Sequence, residues 1–261
     1  MPRFAANLSM MFTEAPFLDR FDAAKEAGFS GVEYLFPYDF EPEAIAARLR
    51  KNSLENVLFN MPPGNWAAGE RGITSLPGRE EEFRSGVEKA LEFAQKLGVR
   101  RLHAMAGIPP SGLDPAACRA TLIANLRYAA KELAAHDIVL LLEAINTRDM
   151  PGFFVSTQAE SHAICAEVNA PNLKMQMDCY HMQIMEGDLA TKLRRYMPNC
   201  GHIQIAGVPE RHEPDTGEVR YEYLYRLLDE LGYDGWIGCE YRPAGKTAEG
   251  LSWLPRTVTS A

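Results

Sequence analysis

Four apolar runs in the second half of the chain each close on an oxygen-bearing side chain. These are Glu143 in "LLLEAIN", Asp178 in "LKMQMDCYH", Gln204 in "GHIQIAG" and Glu240 in "WIGCEY". The intervals of 35, 26 and 36 residues each span about one strand–helix–strand unit. Three carboxylates and an amide oxygen make an all-oxygen donor set, which suits a hard divalent cation, Mg²⁺ first and Mn²⁺ second. A zinc site would recruit more histidine or cysteine. Any one of the four taken singly could be an exposed strand-end residue. Four in successive units is a stronger pattern, and Glu143 is its sharpest member. A carboxylate inside so apolar a run must be paired or metal-bound to be tolerated.

Three histidines stand near the same positions. His181 follows Asp178 by three residues, just past the apolar run. It could face the same mouth and touch a bound substrate, or it could belong to the cap or surface of the next helix. His103 in "RLHAMAG" faces the same choice and is a second candidate substrate contact. His202 lies two residues before Gln204, on the same strand face and one layer deeper, and reads equally well as a core histidine.

What must position these groups is a repeating pattern of strand and helix. Short β-rich runs occur at 3–10, 31–36, 56–62, 101–107, 138–146, 173–181, 201–207 and 236–241. The first, third and fifth are nearly continuous in apolar residues, as strands covered on both faces are. Between them lie helical periodicities. "APFLDRFDAAKEAGF" puts Phe17, Phe21, Ala24 and Ala27 on one stripe, with Gly28 as the stop. "REEEFRSGVEKALEFAQKLGV" places Phe83, Val87, Ala90, Leu91, Ala94 and Leu97 inward and ends at Gly98. Asp114 followed by Pro115 is a strong helix start. "EVRYEYLYRLLDELGYDG" is the last long helix before the eighth run.

Eight strand–helix units in about 250 residues match the (β/α)₈ TIM barrel, whose active site lies at the C-terminal strand ends. An open doubly wound sheet is the alternative, but "NLSMMFTEAP" after the first run lacks the G-x-G-x-x-G phosphate loop. No linker or low-complexity tract divides the chain, so residues 1–261 read as one domain.

Composition narrows the function classes. With 261 residues, 46% of them hydrophobic, the chain can bury a full core without disulfides. A net charge of −8 argues against a nucleic-acid partner, which needs a basic face. The five cysteines (Cys118, Cys165, Cys179, Cys200 and Cys239) are scattered and form no C-x-x-C pair, as expected of reduced thiols. The N-terminus lacks signal-peptide character, and no apolar stretch approaches the ~20 residues of a membrane helix. A cytoplasmic protein without a membrane partner is expected, with homo-oligomerisation left open.

The motifs "LLLEAIN", "MDCYHMQIMEGD", "GHIQIAGVPERHEPDTGEV" and "GCEYRP" resemble, in order and spacing, those of the hydroxypyruvate isomerase family of xylose-isomerase-like metal-dependent barrels. The resemblance runs from "RFAANLSMMF" through "GLSWL", nearly the whole chain. It implies that Glu143, Asp178, Gln204 and Glu240 hold the divalent metal and that Glu143 and Glu240 also transfer a proton. Gln204 stands where related sugar epimerases usually carry histidine, which points to the hydroxypyruvate branch. Those epimerases carry arginine six residues after this ligand; here that place is Glu210, and Arg211 follows.

The implied reaction is an aldose–ketose isomerisation of hydroxypyruvate to tartronate semialdehyde through a cis-enediolate, without a redox cofactor. Isomerisation of a four-carbon 2-oxo-tetronate, or a related sugar or sugar-acid isomerisation or epimerisation, is the second reading. A phosphodiesterase of the endonuclease IV type is a third, and would need more histidine and acidic ligands and a basic face. A sugar-binding protein without catalysis would not need two strand-end glutamates. A 2-oxo or hydroxy acid substrate asks for a cationic partner to its carboxylate. Arg71, Arg211 and Lys246 are the candidates. The Gly- and Pro-rich loop "NMPPGNWAAGERG" suits an active-site lid, with Trp66 either closing over substrate or packing on the rim.

Overall fold

The computed structural model describes residues 2–254. Met1 and residues 255–261, the ends of the expected domain, lie outside the described residues. The strands are β1 (Arg3–Asn7), β2 (Gly31–Tyr34), β3 (Glu55–Asn60), β4 (Arg101–His103), β5 (Val139–Glu143), β6 (Leu173–Asp178), β7 (Cys200–Ile205) and β8 (Trp236–Cys239). Each pairs with the next in chain order, and β8 pairs in parallel with β1, closing an eight-stranded barrel. Closure excludes the open doubly wound sheet.

Helices cover the outside: α1 (Arg20–Glu26), α2 (Pro42–Asn52), α3 (Glu80–Leu97), α4 (Pro115–Ala134), α5 (Gln158–Val168), α6 (Cys179–Met185), α7 (Leu189–Tyr196) and α8 (Tyr221–Glu230). Their ends have local causes. Asp114 accepts from the Ala116 N–H at the start of α4, and Pro115 follows where an N–H would go unused. Gly98 closes α3 with φ +69°, a conformation that costs glycine nothing. Along α3 the inward stripe differs at one place from the expected one. Phe93 is buried, whereas Leu91 is only partly buried against the core. The larger ring takes the interior position.

The strands stop short of the apolar runs that announced them. The run at 138–146 is strand only to Glu143, and the run at 173–181 only to Asp178, after which α6 begins. All five cysteines are free thiols. Among the described residues no helix is long and apolar enough to cross a membrane.

Candidate active site

β5 ends at Glu143 and β6 at Asp178, Gln204 is the penultimate residue of β7, and Glu240 follows the last residue of β8. Parallel strands in a closed barrel deliver all four to one mouth. Ligand atoms of Glu143, Asp178, His181 and Glu240 lie within 4.8 Å of one another, and all four residues are buried. Glu143 Oε1 and Asp178 Oδ2 are buried without a hydrogen-bond donor. Two desolvated carboxylate oxygens with no donor are costly unless a cation answers them. The residues present therefore fit a divalent metal.

Asp178 answers both readings of its motif. Oδ1 accepts from the Tyr180 N–H at 2.8 Å and so caps α6, while Oδ2 faces the cluster. Burial raises all three carboxylates. Glu143 stands well above the ordinary range, driven by burial and then by the Glu240 and Asp178 charges. Burial lifts Asp178 to about 6 and Glu240 to about 8, with the Arg211 charge opposing in both cases.

Arg211 lies inside this group. Its Nη2 donates to Glu240 Oε2 at 2.6 Å and stands 3.6 Å from Asp178 Oδ2. Its guanidinium also lies over the Tyr180 ring at 4.8 Å. Burial alone would lower its pKa, but Glu240, Asp178 and Glu143 carry it above the ordinary value. Its backbone is left-handed, φ +61°, and its carbonyl accepts from the Arg242 N–H at 2.8 Å. The one-residue offset from the epimerase pattern thus still delivers an arginine to the site.

The histidines separate. His181 Nε2 is 3.5 Å from Asp178 Oδ2 and 3.9 Å from Glu143 Oε1. Burial, then Arg211, keep its pKa well below the ordinary value. His103 is buried with Nδ1 3.7 Å from Glu143 Oε2, and neither ring nitrogen has a hydrogen-bond partner. Burial, then His202, lower its pKa to about 3, so a neutral ring faces the cluster. His202 is fully buried and bonds Glu33 Oε2 through Nε2 at 2.8 Å. It supports Glu33 from within the core.

Gln204 is held on both sides of its amide. Nε2 donates to Glu33 Oε1 at 2.7 Å, and Oε1 accepts from Gln176 Nε2 at 2.6 Å. Among the cationic candidates, Arg71 is half-buried, lies over the Trp66 ring at 4.0 Å, and donates to the Trp66 carbonyl at 3.2 Å. Trp66 in turn meets Phe36 edge-on at 5.0 Å, so this loop packs on the rim. Lys246 is not brought to the cluster. Its side chain is 76% exposed and pairs with Glu249 at 3.7 Å.

Residues not foreseen complete the site. Glu33 on β2 is fully buried and accepts from Asn7, His202 and Gln204. Asn7 also donates to Glu240 Oε1 at 3.3 Å. The signal for Glu33 was present, since a carboxylate inside "GVEYLF" raises the same question as Glu143. Asn7, Gln176 and Asn146 carry no such signal, because neutral amides occur on any strand or turn.

Comparison with known proteins agrees with the fold. Residues 21–257 match the family described as xylose isomerase-like TIM barrel. The chain is 58% identical to the 2-oxo-tetronate isomerase of Cupriavidus necator, over 97% of this chain and 98% of the relative. It is 47% identical to the hydroxypyruvate isomerase of Escherichia coli, with the same shares covered. A Brucella melitensis crystal structure, described as an AP endonuclease of family 2, superposes with a TM-score of 0.95. It is 56% identical over 97% of this chain and 98% of that one.

Proposed function

Because the chain belongs to the hydroxypyruvate isomerase and 2-oxo-tetronate isomerase family of xylose isomerase-like TIM barrels, we propose that it interconverts a 2-oxo-3-hydroxy acid and its 2-hydroxy-3-oxo isomer. Within that class the reading adopted is a four-carbon 2-oxo-tetronate. The order of substrates expected from the motifs, with hydroxypyruvate first, is thereby reversed. The relative at 58% identity is a 2-oxo-tetronate isomerase, and the hydroxypyruvate isomerase of Escherichia coli stands at 47%. The observation that carries the reaction class is the buried quartet of Glu143, Asp178, His181 and Glu240 at the C-terminal mouth.

Glu143, Asp178 and Glu240, with the Gln204 amide oxygen, would hold a divalent cation, Mg²⁺ before Mn²⁺ for so oxygen-rich a set. When bound, such an ion supplies Lewis-acid polarisation of the substrate's adjacent oxygens. The protein's own groups do the rest. One of Glu143 and Glu240, ionised, takes the proton from C3, leaving a cis-enediolate. The other, which enters the step protonated, gives its proton to C2, and exchange with solvent restores both. The O3 proton is lost as O2 gains one, so C3 becomes the carbonyl and C2 the carbinol. No electron leaves the substrate.

Burial raises both glutamates, which makes their ionised forms stronger bases than exposed carboxylates. Arg211 holds Glu240 in place through Nη2. Arg71, on the loop after β3 that packs on the rim, is the candidate partner for the substrate carboxylate, and it would have to leave the Trp66 ring to reach it.

A phosphodiesterase is the reading suggested by the description of the Brucella melitensis structure. It fits less well. The described residues gather one group of potential metal ligands, and the chain carries a net charge of −8. The test is a panel of 2-oxo-tetronate, hydroxypyruvate and free ketohexoses, each with and without Mg²⁺ or Mn²⁺, run in ²H₂O. The expected result is metal-dependent deuterium incorporation at C2, fastest with 2-oxo-tetronate. No turnover of any 2-oxo acid with metal saturating would reject the reaction class.

A further inference from the structure

The part His181 plays depends on which ring nitrogen carries its proton. A metal ligand needs a lone pair on Nε2, the nitrogen that faces Asp178 and Glu143. A hydrogen-bond donor to substrate needs Nε2–H. The opposite edge of the ring decides between them.

The Asp149 backbone N–H donates to Asn146 Oδ1 at 2.7 Å. A backbone N–H can only donate, so this contact identifies the oxygen of the Asn146 amide. Its Nδ2 must then be the atom 3.1 Å from Asp149 Oδ2 and 2.6 Å from His181 Nδ1. The Asn146 backbone N–H also faces Nδ1, at 3.4 Å. Two N–H donors aimed at Nδ1 leave it only the role of acceptor, and a neutral imidazole then carries its proton on Nε2. Asp149 is itself anchored, since Oδ2 accepts from the Tyr180 hydroxyl at 2.8 Å. Arg148 Nη2 donates to the same hydroxyl at 2.9 Å.

We propose that Asn146 is a positioning residue that holds His181 as its Nε2–H tautomer, so that His181 donates to the substrate oxygen that gains charge and does not ligate the cation. The tautomer follows from the contacts alone; its catalytic consequence rests on the isomerase reading. At 3.5 and 3.9 Å the nearest carboxylate oxygens are too distant to consume the Nε2 hydrogen. Arg211 Nη2 also faces Nε2, at 3.5 Å, but it is engaged with Glu240 Oε2 at 2.6 Å. The 2.6 Å contact at Nδ1 is the closer one and sets the tautomer. The hydrogen is therefore free for a ligand. With His181 set aside, Gln204 is the remaining strand-end oxygen among the expected donors, its Oε1 accepting from Gln176 at 2.6 Å. Asn146 lies three residues beyond Glu143, so one segment supplies a carboxylate to the site and sets the proton of the histidine beside it.

The test is ¹⁵N NMR of the full chain with ¹⁵N-labelled histidine, the His181 signals being assigned with His181→Ala. The wild type is expected to show Nε2–H both metal-free and saturated with Mg²⁺. Asn146→Asp presents an acceptor to Nδ1 and should move the proton there, while Asn146→Ala should give a mixture. In both variants kcat should fall, on the order of 10–10³-fold, by analogy with other misplaced histidine tautomers. KM and Mg²⁺ affinity should change far less.

An Nδ1–H tautomer in the wild type, or loss of the Nε2 proton when Mg²⁺ is added, overturns the proposal even if neither variant folds. An unchanged tautomer in both variants overturns it as well. The tautomer is read without substrate, so failure of the isomerase reading in the substrate panel would be a separate result.

Discussion

The Glu33 carboxylate on β2 meets the Gln204 amide on β7 inside the barrel, Gln204 Nε2 donating to Glu33 Oε1 at 2.7 Å. It passes over Gly238 of β8, where a Cβ would collide with both carboxylate oxygens. With Gln176 donating to Gln204 Oε1 at 2.6 Å, the amide has one orientation, its oxygen turned away from Glu33. A carboxylate can accept from Asn7, His202 and Gln204 together; an amide in its place would turn donors toward donors.

Glu33→Gln should therefore release the Gln204 amide and leave buried donors unmatched. We expect Mg²⁺ or Mn²⁺ affinity to fall about 10–100-fold, as for other groups that orient ligands. A stability loss of about 1–3 kcal/mol should accompany it. Calorimetric metal titration and thermal denaturation measure the two. Unchanged metal affinity would show that Gln204 is not a ligand or needs no help from Glu33.

Glu240→Gln keeps a ligand oxygen but cannot carry a proton. It should retain the fold and much of the metal affinity while activity drops by about 10²–10⁴-fold. Wild-type turnover at saturating metal would remove Glu240 from proton transfer.

Asp178 and His181 should fail in different ways. Asparagine caps helices as well as aspartate does, so Asp178→Asn should spare α6 while weakening the metal site. Its activity should recover partly as added metal rises. His181→Ala should bind metal normally and lose roughly 2–4 kcal/mol of transition-state stabilisation that added metal does not restore, by analogy with oxyanion donors. Identical metal dependence in the two variants would contradict the assignment of at least one.

Metal removal should be felt most at high pH. Asp178 and Glu240 hold their protons to about 6 and about 8 in the fold, and Glu143 is raised as well, chiefly by burial. Between the ordinary carboxylate pKa and these values the native state binds more protons than the unfolded chain. The stability of the metal-free protein therefore falls as pH rises from about 4 to about 8. A bound cation favours the ionised carboxylates and should reverse the trend. Denaturant melts at pH 5 and pH 8, with and without Mg²⁺, should show the largest metal effect at pH 8. A metal-free protein equally stable at both values would refute the raised pKa values.

The parts legible in the sequence were those written locally. Strand and helix periods repeat along the chain, and a barrel closed in chain order turns strand ends into one mouth, so Glu143, Asp178 and Glu240 could be named from their runs alone. Asp114–Pro115 at the start of α4 was legible for the same reason, because a cap acts within one helical turn. Other features depend on residues far apart in the chain. Glu33 and Gln204 are 171 residues apart, and Asn7 and Glu240 are 233. Their meeting depends on the stagger of strands around the barrel and on the bare backbone of Gly238, neither of which a local pattern records. Where each cation ends up was likewise tertiary: Arg211 and Lys246 both lie in loops after strands, but Arg211 folds in among the carboxylates and Lys246 stays exposed beside Glu249. The chain by itself determined which groups reach the mouth. The closed, staggered barrel decided which atoms face one another there, because side-chain contact depends on register between strands that no single segment specifies.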